Sequence, residues 1–325
     1  MTAQRLKRHA VAQFALESGE VLEHVQQAYT LTGRLNRRRD NLVLLFHSLT
    51  GSAEPLDWWP ELVGPGRVLD TDRFAVLCPN LLGSCYGTSP VPRTTATPRD
   101  MARLVSLLVD QLGVTSVRLA TGGSLGGMVT LEWAASFPAR TRAAVPFAAP
   151  AAHSAQAIAY NHIQRRAIEA AGLRGLAVAR MAAMLTYRTP AELNARFGRD
   201  DDAGCFRVQA YLDNHGDRLV RRFDATSYVR LLDAMDAHDV GRGRGGSGIA
   251  LAAFDGYLLG VGIPGDVLYP ADEVRTWTQA AGCDYAEIHS IRGHDAFLLE
   301  TAQAASLLRH ALSVSNTAGL PGVRA

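Results

Sequence analysis

Residues 117–137 read VRLATGGSLGGMVTLEWAASF. The apolar run Val117 to Ala120 has strand character, the segment after Ser124 reads as a helix through Phe137, and Pro138 stops it. Between them lies Gly122-Gly123-Ser124-Leu125-Gly126, a G-x-S-x-G run. Such a run alone is weak, because small residues with serine occur in many turns; placed between a strand and a helix it has the setting of a nucleophile elbow. Glycine at 122 and 126 allows the serine a sharp, strained turn with no side chain to strike the neighbouring strand and helix. The helix that follows points its positive end at any oxyanion forming beside the serine.

Reading outward, Asn41 to Phe46 (NLVLLF) is a short buried strand entering the polar loop His47 to Ser52 (HSLTGS), and Phe74 to Cys78 (FAVLC) is another, entering Pro79 to Ser84 (PNLLGS). Met101, Leu104, Leu107, Leu108 and Leu112 recur at helical spacing, and Ala143 to Ala149 is a further apolar strand. Strand and helix alternating in this way predict a parallel sheet covered on both faces. From Pro150 to about Ser247 the character changes to helical stretches (Ala155 to Ala171, Leu173 to Leu185, Leu231 to His238) without a convincing strand, ending in the flexible GRGRGGSG of Gly241 to Gly248. Tyr257 to Ile263 and Ala286 to Ile291 read as the last strands and Ala302 to Leu312 as a closing helix, with a frayed tail after Ser313. The expected architecture is an α/β core in two parts, 1–150 and 251–325, with 151–250 as a helical lid insertion.

A serine hydroxyl is a poor nucleophile at neutral pH and needs a base, itself oriented by an acid. Gly293-His294-Asp295 follows the last strand region and precedes a helix, which makes His294 the candidate base; outside this pattern it would read as a surface-loop histidine. Asp266 is the candidate acid, since it follows the strand YLLGVGI and the turn Pro264-Gly265. Asp255 precedes that strand, and Asp272 and Glu273 look like residues of a helix N-terminus. The chain order Ser124, Asp266, His294 is that of the α/β-hydrolase fold. Leu125, after the nucleophile, and Leu49, in the early loop, are the candidate backbone donors of an oxyanion hole.

The 325 residues are 47% hydrophobic and can bury one large core. With 33 basic and 31 acidic residues the net charge is +2, too weak a field to suggest nucleic acid or an anionic membrane as partner. The cluster Arg34 to Arg39 (RLNRRR) is either a phosphate patch or, more simply, a solvated loop. No apolar run is long enough to span a membrane and the N-terminus lacks a signal-peptide pattern, so a cytoplasmic protein is expected. Cys78, Cys85, Cys205 and Cys283 have no C-x-x-C spacing and the ten histidines no H-x-x-x-H pair, so neither disulfides nor a metal is expected. Cys85 alone lies in a glycine-rich loop.

The segments HSLTGSA (47–53), WWPELVGPGRVLDTDRF (58–74), NLLGSCYGT (80–88), GGSLGGMVTLEWA (122–134), RRFDATSYVRLLDAMDAHDVGRG (221–243) and GHDAFLLE (293–300) together resemble the homoserine O-acetyltransferase family, from about residue 14 to about residue 312. The resemblance implies a ping-pong reaction without a permanently bound cofactor. Ser124 takes an acetyl group from acetyl-CoA as co-substrate, and the homoserine hydroxyl then collects it with His294 as base. It also implies that Arg180, in GLAVARM, binds the homoserine carboxylate, that Asp295 binds its ammonium, and that the protein is a homodimer. Residue chemistry alone leaves Arg180 as an unpaired helix arginine and Asp295 as a helix N-cap.

The sequence departs from the family between GSCYGT and TPRDM, where only SPVPRTTA remains, and between IQRRAIEA and GLAVARM, where only AGLR remains. Leu125 stands for a usual methionine, Ser48 for alanine and Thr226 for asparagine. These changes keep open succinyl-CoA as donor, serine or another hydroxylated acceptor, and hydrolysis by water. A non-enzymatic binding module would have no use for the triad and oxyanion loop.

Overall fold

The computed structural model describes residues 6–202 and 204–317. Ten strands and ten α-helices are found among them. In chain order the first part holds β1 (Lys7–Ala15), β2 (Val21–Thr32), β3 (Leu42–Phe46), β4 (Ala75–Pro79), α1 (Pro98–Gln111), β5 (Val117–Gly123), α2 (Leu125–Ser136) and β6 (Ala143–Phe147). Then come α3 (Ala155–Tyr187), α4 (Pro190–Phe197), β7 (Asp201–Asp202), β8 (Cys205–Phe206), α5 (Arg207–Val220), α6 (Ala225–Asp236) and α7 (Ser247–Ala252). The last part is β9 (Tyr257–Gly262), α8 (Ala271–Ala281), β10 (Asp284–Glu287), α9 (Ala296–Leu299) and α10 (Thr301–Thr317).

The main sheet runs β1-β2-β4-β3-β5-β6-β9-β10, parallel from β4 onward, with β1 and β2 antiparallel at one edge. Both faces are covered, and strand periodicity divides the core. Leu42, Leu44 and Phe46 of β3 join the cluster that includes α1 and α2, while Val43 and Leu45 point to the opposite cluster with Trp59 and α10. Helix α1 starts at a capping box, Thr97 bonding the Asp100 N–H and Asp100 returning to the Thr97 N–H.

The edge hairpin β1–β2 escaped the sequence reading, because an edge pair exposes one face and carries no continuous apolar run. Four expectations need correction. The 151–250 segment is not wholly helical, since β7 and β8 form a two-residue hairpin. Gly241 to Gly248 is not a free linker: α7 begins inside it at Ser247, and Arg244 ties it to Glu132 at 2.7 Å and to the Ser136 hydroxyl at 2.7 Å. The chain does not fray at Ser313, because α10 continues to Thr317 with the Ser315 hydroxyl on Ala311 O, and Arg118 bonds the carbonyls of Leu312 and Ser315; residues 318–325 of that tail lie outside the described residues. The expected Ala286 to Ile291 strand is β10, displaced to Asp284–Glu287.

The two helical stretches expected either side of Gly172 are the arms of α3, which turns sharply there (φ 56°, ψ −124°). The turn brings Gly175 back against Ala167, where a Cβ would sit 1.9 Å from the Ala167 carbonyl oxygen. Helix α3 packs on α5 and α6 and reaches the turn at Gly293 to Asp295, so the inserted helices roof the carboxyl ends of β5 and β9. Among the described residues no helix is long and apolar enough to cross a membrane, and no group of three or more His, Cys, Asp or Glu side chains could hold a metal ion.

Candidate active site

Ser124 sits between β5 and α2 at φ 58°, ψ −124°, a conformation that costs free energy for a non-glycine residue. Its N–H is held by Phe147 O at 2.9 Å, and the residue is 5% exposed. The flanking glycines are required by space. A Cβ at Gly122 would lie 2.5 Å from Phe46 O, and one at Gly126 would lie 2.1 Å from the same oxygen. Gly123, which the motif leaves unspecified, is needed as well, since a Cβ there would meet the Phe297 ring at 2.3 Å.

Asp266 leaves β9 through a tight turn at Pro264-Gly265 (Gly265 φ +82°), its N–H on Ile263 O at 3.0 Å. Carboxylate oxygen Oδ1 accepts the N–H groups of Leu268 at 2.8 Å and Tyr269 at 2.9 Å, which aims Oδ2 at His294 Nδ1, 2.7 Å away. An ionised carboxylate only accepts, so Nδ1 carries the proton and Nε2 keeps a free lone pair. His294 is 3% exposed and is packed among the rings of Tyr269 (5.2 Å between centroids), Tyr187 (5.6 Å) and Phe297 (5.7 Å). Burial alone would push its pKa down. The charge and hydrogen bond of Asp266, helped by Asp295, outweigh that, and the pKa is raised above the ordinary histidine value.

Ser124 and His294 open on one cavity of about 90 Å³, whose walls also carry Leu49, Arg180 and Asp295. Leu125 is the first residue of α2, where a helix N–H has no carbonyl four residues back to bind. Arg180 is half-buried with its guanidinium over the Tyr187 ring at 5.3 Å, not an exposed helix arginine. Asp295 precedes α9 but makes no capping bond; its Oδ2 pairs with Arg188 Nη2 at 3.0 Å. Burial would lower the Arg188 pKa, but Asp295, Tyr211 and Glu192 raise it, so this cation is firmly held.

Several residues of the site were invisible in the sequence. His47 is fully buried, donates from Nδ1 to Ser48 O at 2.8 Å and accepts the Leu81 N–H on Nε2 at 3.0 Å, which fixes the turn that presents Leu49. Burial pulls its pKa to about 4, so it stays neutral. Its only signal was its place as first residue after an apolar strand. Tyr187 and Arg188 are neighbours at the C-terminal end of α3, and Phe297 comes from α9, far along the chain. Of the residues set aside, Cys85 is half-buried with its thiol pushed up by burial, unlike a reactive thiolate, and Arg38 is an exposed loop residue beside Asp40.

Chemically, a serine hydroxyl on a strained turn, a histidine with one free ring nitrogen, and a buried carboxylate on its other nitrogen are the parts of acyl transfer. A family model described as alpha/beta hydrolase fold matches residues 41–171. A homoserine O-acetyltransferase of Thermus thermophilus is 44% identical over 91% of this chain and 88% of its own, and that of Trichormus variabilis is 41% identical over 92% and 91%. Among solved structures, a homoserine o-acetyltransferase from Staphylococcus aureus superposes with a TM-score of 0.85 at 28% identity, covering 98% of each chain. Esterase E22, at a TM-score of 0.86 and 18% identity over 95% of this chain and 100% of its own, shares the fold.

Proposed function

The chain belongs to the homoserine O-acetyltransferase family, and on that premise we propose that it moves an acetyl group from acetyl-CoA to the hydroxyl of L-homoserine through an acetyl-Ser124 intermediate, a step of methionine biosynthesis. The observation that carries the reading is the shared cavity of Ser124 and His294, with His294 Nδ1 held by Asp266 at 2.7 Å.

His294 Nε2 takes the Ser124 proton as Oγ attacks the thioester carbonyl, and the N–H groups of Leu49 and Leu125 receive the oxyanion. Collapse breaks the C–S bond, His294 returns the proton to the departing sulfur, and CoA leaves with a free thiol. The homoserine hydroxyl then gives its proton to Nε2 and attacks the acetyl-serine. Collapse of this second adduct releases O-acetylhomoserine and returns the proton to Ser124. A transferase must keep the acyl-serine from water until the alcohol arrives, and the 5% exposure of Ser124 under the 151–250 insertion, acting as a lid on the core of 1–150 and 251–325, supports that requirement. Arg180 is assigned to the homoserine carboxylate, for which a planar fork is suited, and Asp295 to the ammonium, for which it must share or exchange its Arg188 partner. We place the enzyme in the cytoplasm as a homodimer joined through α3, whose Leu173, Val178 and Leu185 expose large apolar side chains.

The test is release of free thiol from acetyl-CoA or succinyl-CoA, with and without L-homoserine or L-serine. Acetyl-CoA with homoserine should give sustained release and Ser124→Ala none. Sustained release without an amino acid would make the protein a hydrolase, a preference for succinyl-CoA or serine would change the substrates, and release unaffected by Ser124→Ala would end the acyl-serine reading. Arg180→Ala should raise the KM for homoserine roughly tenfold or more and that for the CoA ester little; an unchanged homoserine KM would remove Arg180 from the site.

A further inference from the structure

Behind His294 lies a second acid–histidine–hydroxyl chain that the reaction does not use. His153, in the loop between β6 and α3, has Nδ1 3.0 Å from Asp236 Oδ1 and Nε2 3.0 Å from the Tyr269 hydroxyl. Asp236, the last residue of α6, also accepts from Asn161 Nδ2 at 2.8 Å and from Arg165 Nη2. Burial would raise the Asp236 pKa, but the bonds from His153, Arg165 and Asn161 prevail and hold it below the usual carboxylate range, so it is an acceptor. His153 therefore donates from Nδ1 to Asp236, and in the neutral ring Nε2 accepts from the Tyr269 hydroxyl.

Tyr269 is fully buried and touches both partners of Ser124. Its ring stands edge-on to the His294 ring, 5.2 Å between centroids at 77°, and its backbone N–H is one of the two that orient Asp266. Burial, with the neighbouring Tyr187 and acids, raises its own pKa well above the ordinary value, so it stays a phenol and is no second nucleophile. The far end of the chain rests on helices of the insertion, Asn161 and Arg165 on α3 and Asp236 on α6. We propose that Tyr269, His153 and Asp236 are positioning residues for the acyl transfer: they lock the Tyr269 ring against His294 and so link the docking of the inserted helices to the orientation of the base. Two of the three lie far from Asp266 and His294 in sequence, and none touches the cavity that holds Ser124.

This inference rests on the acyl-serine reading, so wild-type protein is measured first; a wild type that does not acylate on Ser124 defeats that reading and not this one. Tyr269→Phe keeps the ring and the backbone N–H and removes only the hydroxyl. Expected is a loss of roughly tenfold in kcat and in single-turnover thiol release per active site, with KM for both substrates within twofold, because the geometry of the base changes and the binding groups do not. The proton resonance of His294 Nδ1–H in its bond to Asp266 should broaden or shift. His153→Ala should give at least the same loss, and the double variant no more than His153→Ala alone, since the Tyr269–His153 hydrogen bond is absent from both single variants. Tyr269→Phe with wild-type turnover and an unchanged His294 resonance, or losses that multiply in the double variant, would overturn the proposal; Tyr269→Phe decides it alone if His153→Ala does not fold.

Discussion

Replacing Gly126 by alanine sets a helix-propensity gain against a steric cost, and the structure says which wins. Gly126 lies in the first turn of α2, where Gly→Ala should stabilise by about 1 kcal/mol on propensity alone. The new Cβ would lie 2.1 Å from Phe46 O, 2.8 Å from Phe46 C and 3.0 Å from His47 O, all of them backbone atoms that no rotamer change can move. Relief requires α2 and the end of β3 to part by about 1 Å, a strain of roughly 1–3 kcal/mol that outweighs the propensity gain. The functional cost is larger, because that gap separates the two proposed oxyanion donors: Leu125 begins α2, and Leu49 lies two residues beyond the Phe46–His47 segment. Loss of one such donor is worth roughly 10²–10³ in kcat. Gly126→Ala should therefore fold with a Tm lowered by several degrees and show kcat reduced about a hundredfold, with KM for homoserine nearly unchanged, measured by thiol release and thermal unfolding. A raised Tm with activity within threefold of wild type would refute the reasoning.

Asp266→Asn should lower kcat by roughly three to four orders of magnitude, by loss of the correct His294 tautomer; it should also move the acid limb of kcat/KM to lower pH, since Asp266 is what holds the His294 pKa up against burial, and an unmoved limb in the residual activity would contradict that cause. Buried neutral His47 (pKa about 4) and His238 (about 3) bind protons less readily folded than unfolded. Stability should therefore fall as pH drops from about 6.5 towards 4, by on the order of 3 kcal/mol for His47 alone. His294, with its raised pKa, has the opposite sign and offsets part of this; chemical denaturation at pH 7 and pH 5 measures the sum, and His47→Gln should flatten the dependence. Glu132, whose side chain is 1% exposed, bonds Arg99 at 3.0 Å and Arg244 at 2.7 Å, so Glu132→Ala should destabilise by roughly 3 kcal/mol through two partly unpaired arginines. A denaturation midpoint within error of wild type would show the network to be dispensable.

Ser124, Asp266 and His294 were legible without coordinates because each is tied to the end of a strand by local signals: glycines that a tight elbow demands, a Pro-Gly turn after YLLGVGI, and a Gly-His-Asp before a helix. The parallel sheet was legible for a similar reason, since strands buried on both faces leave continuous apolar runs. The edge hairpin β1–β2 left no such run, and the small β7–β8 pair was too short to leave a pattern. What sequence could not supply was anything set by the meeting of distant segments. Gly123 is required by the Phe297 ring, His47 by the Leu81 N–H, and the paths of Arg180 and Arg188 by Tyr187 and Asp295. Local backbone geometry restricts residue type position by position, so a sequence displays it. A side-chain contact between the loop after β6, α6 and the turn after β9, such as Asp236–His153–Tyr269, restricts only a combination of residues, and it takes the folded chain to bring that combination together.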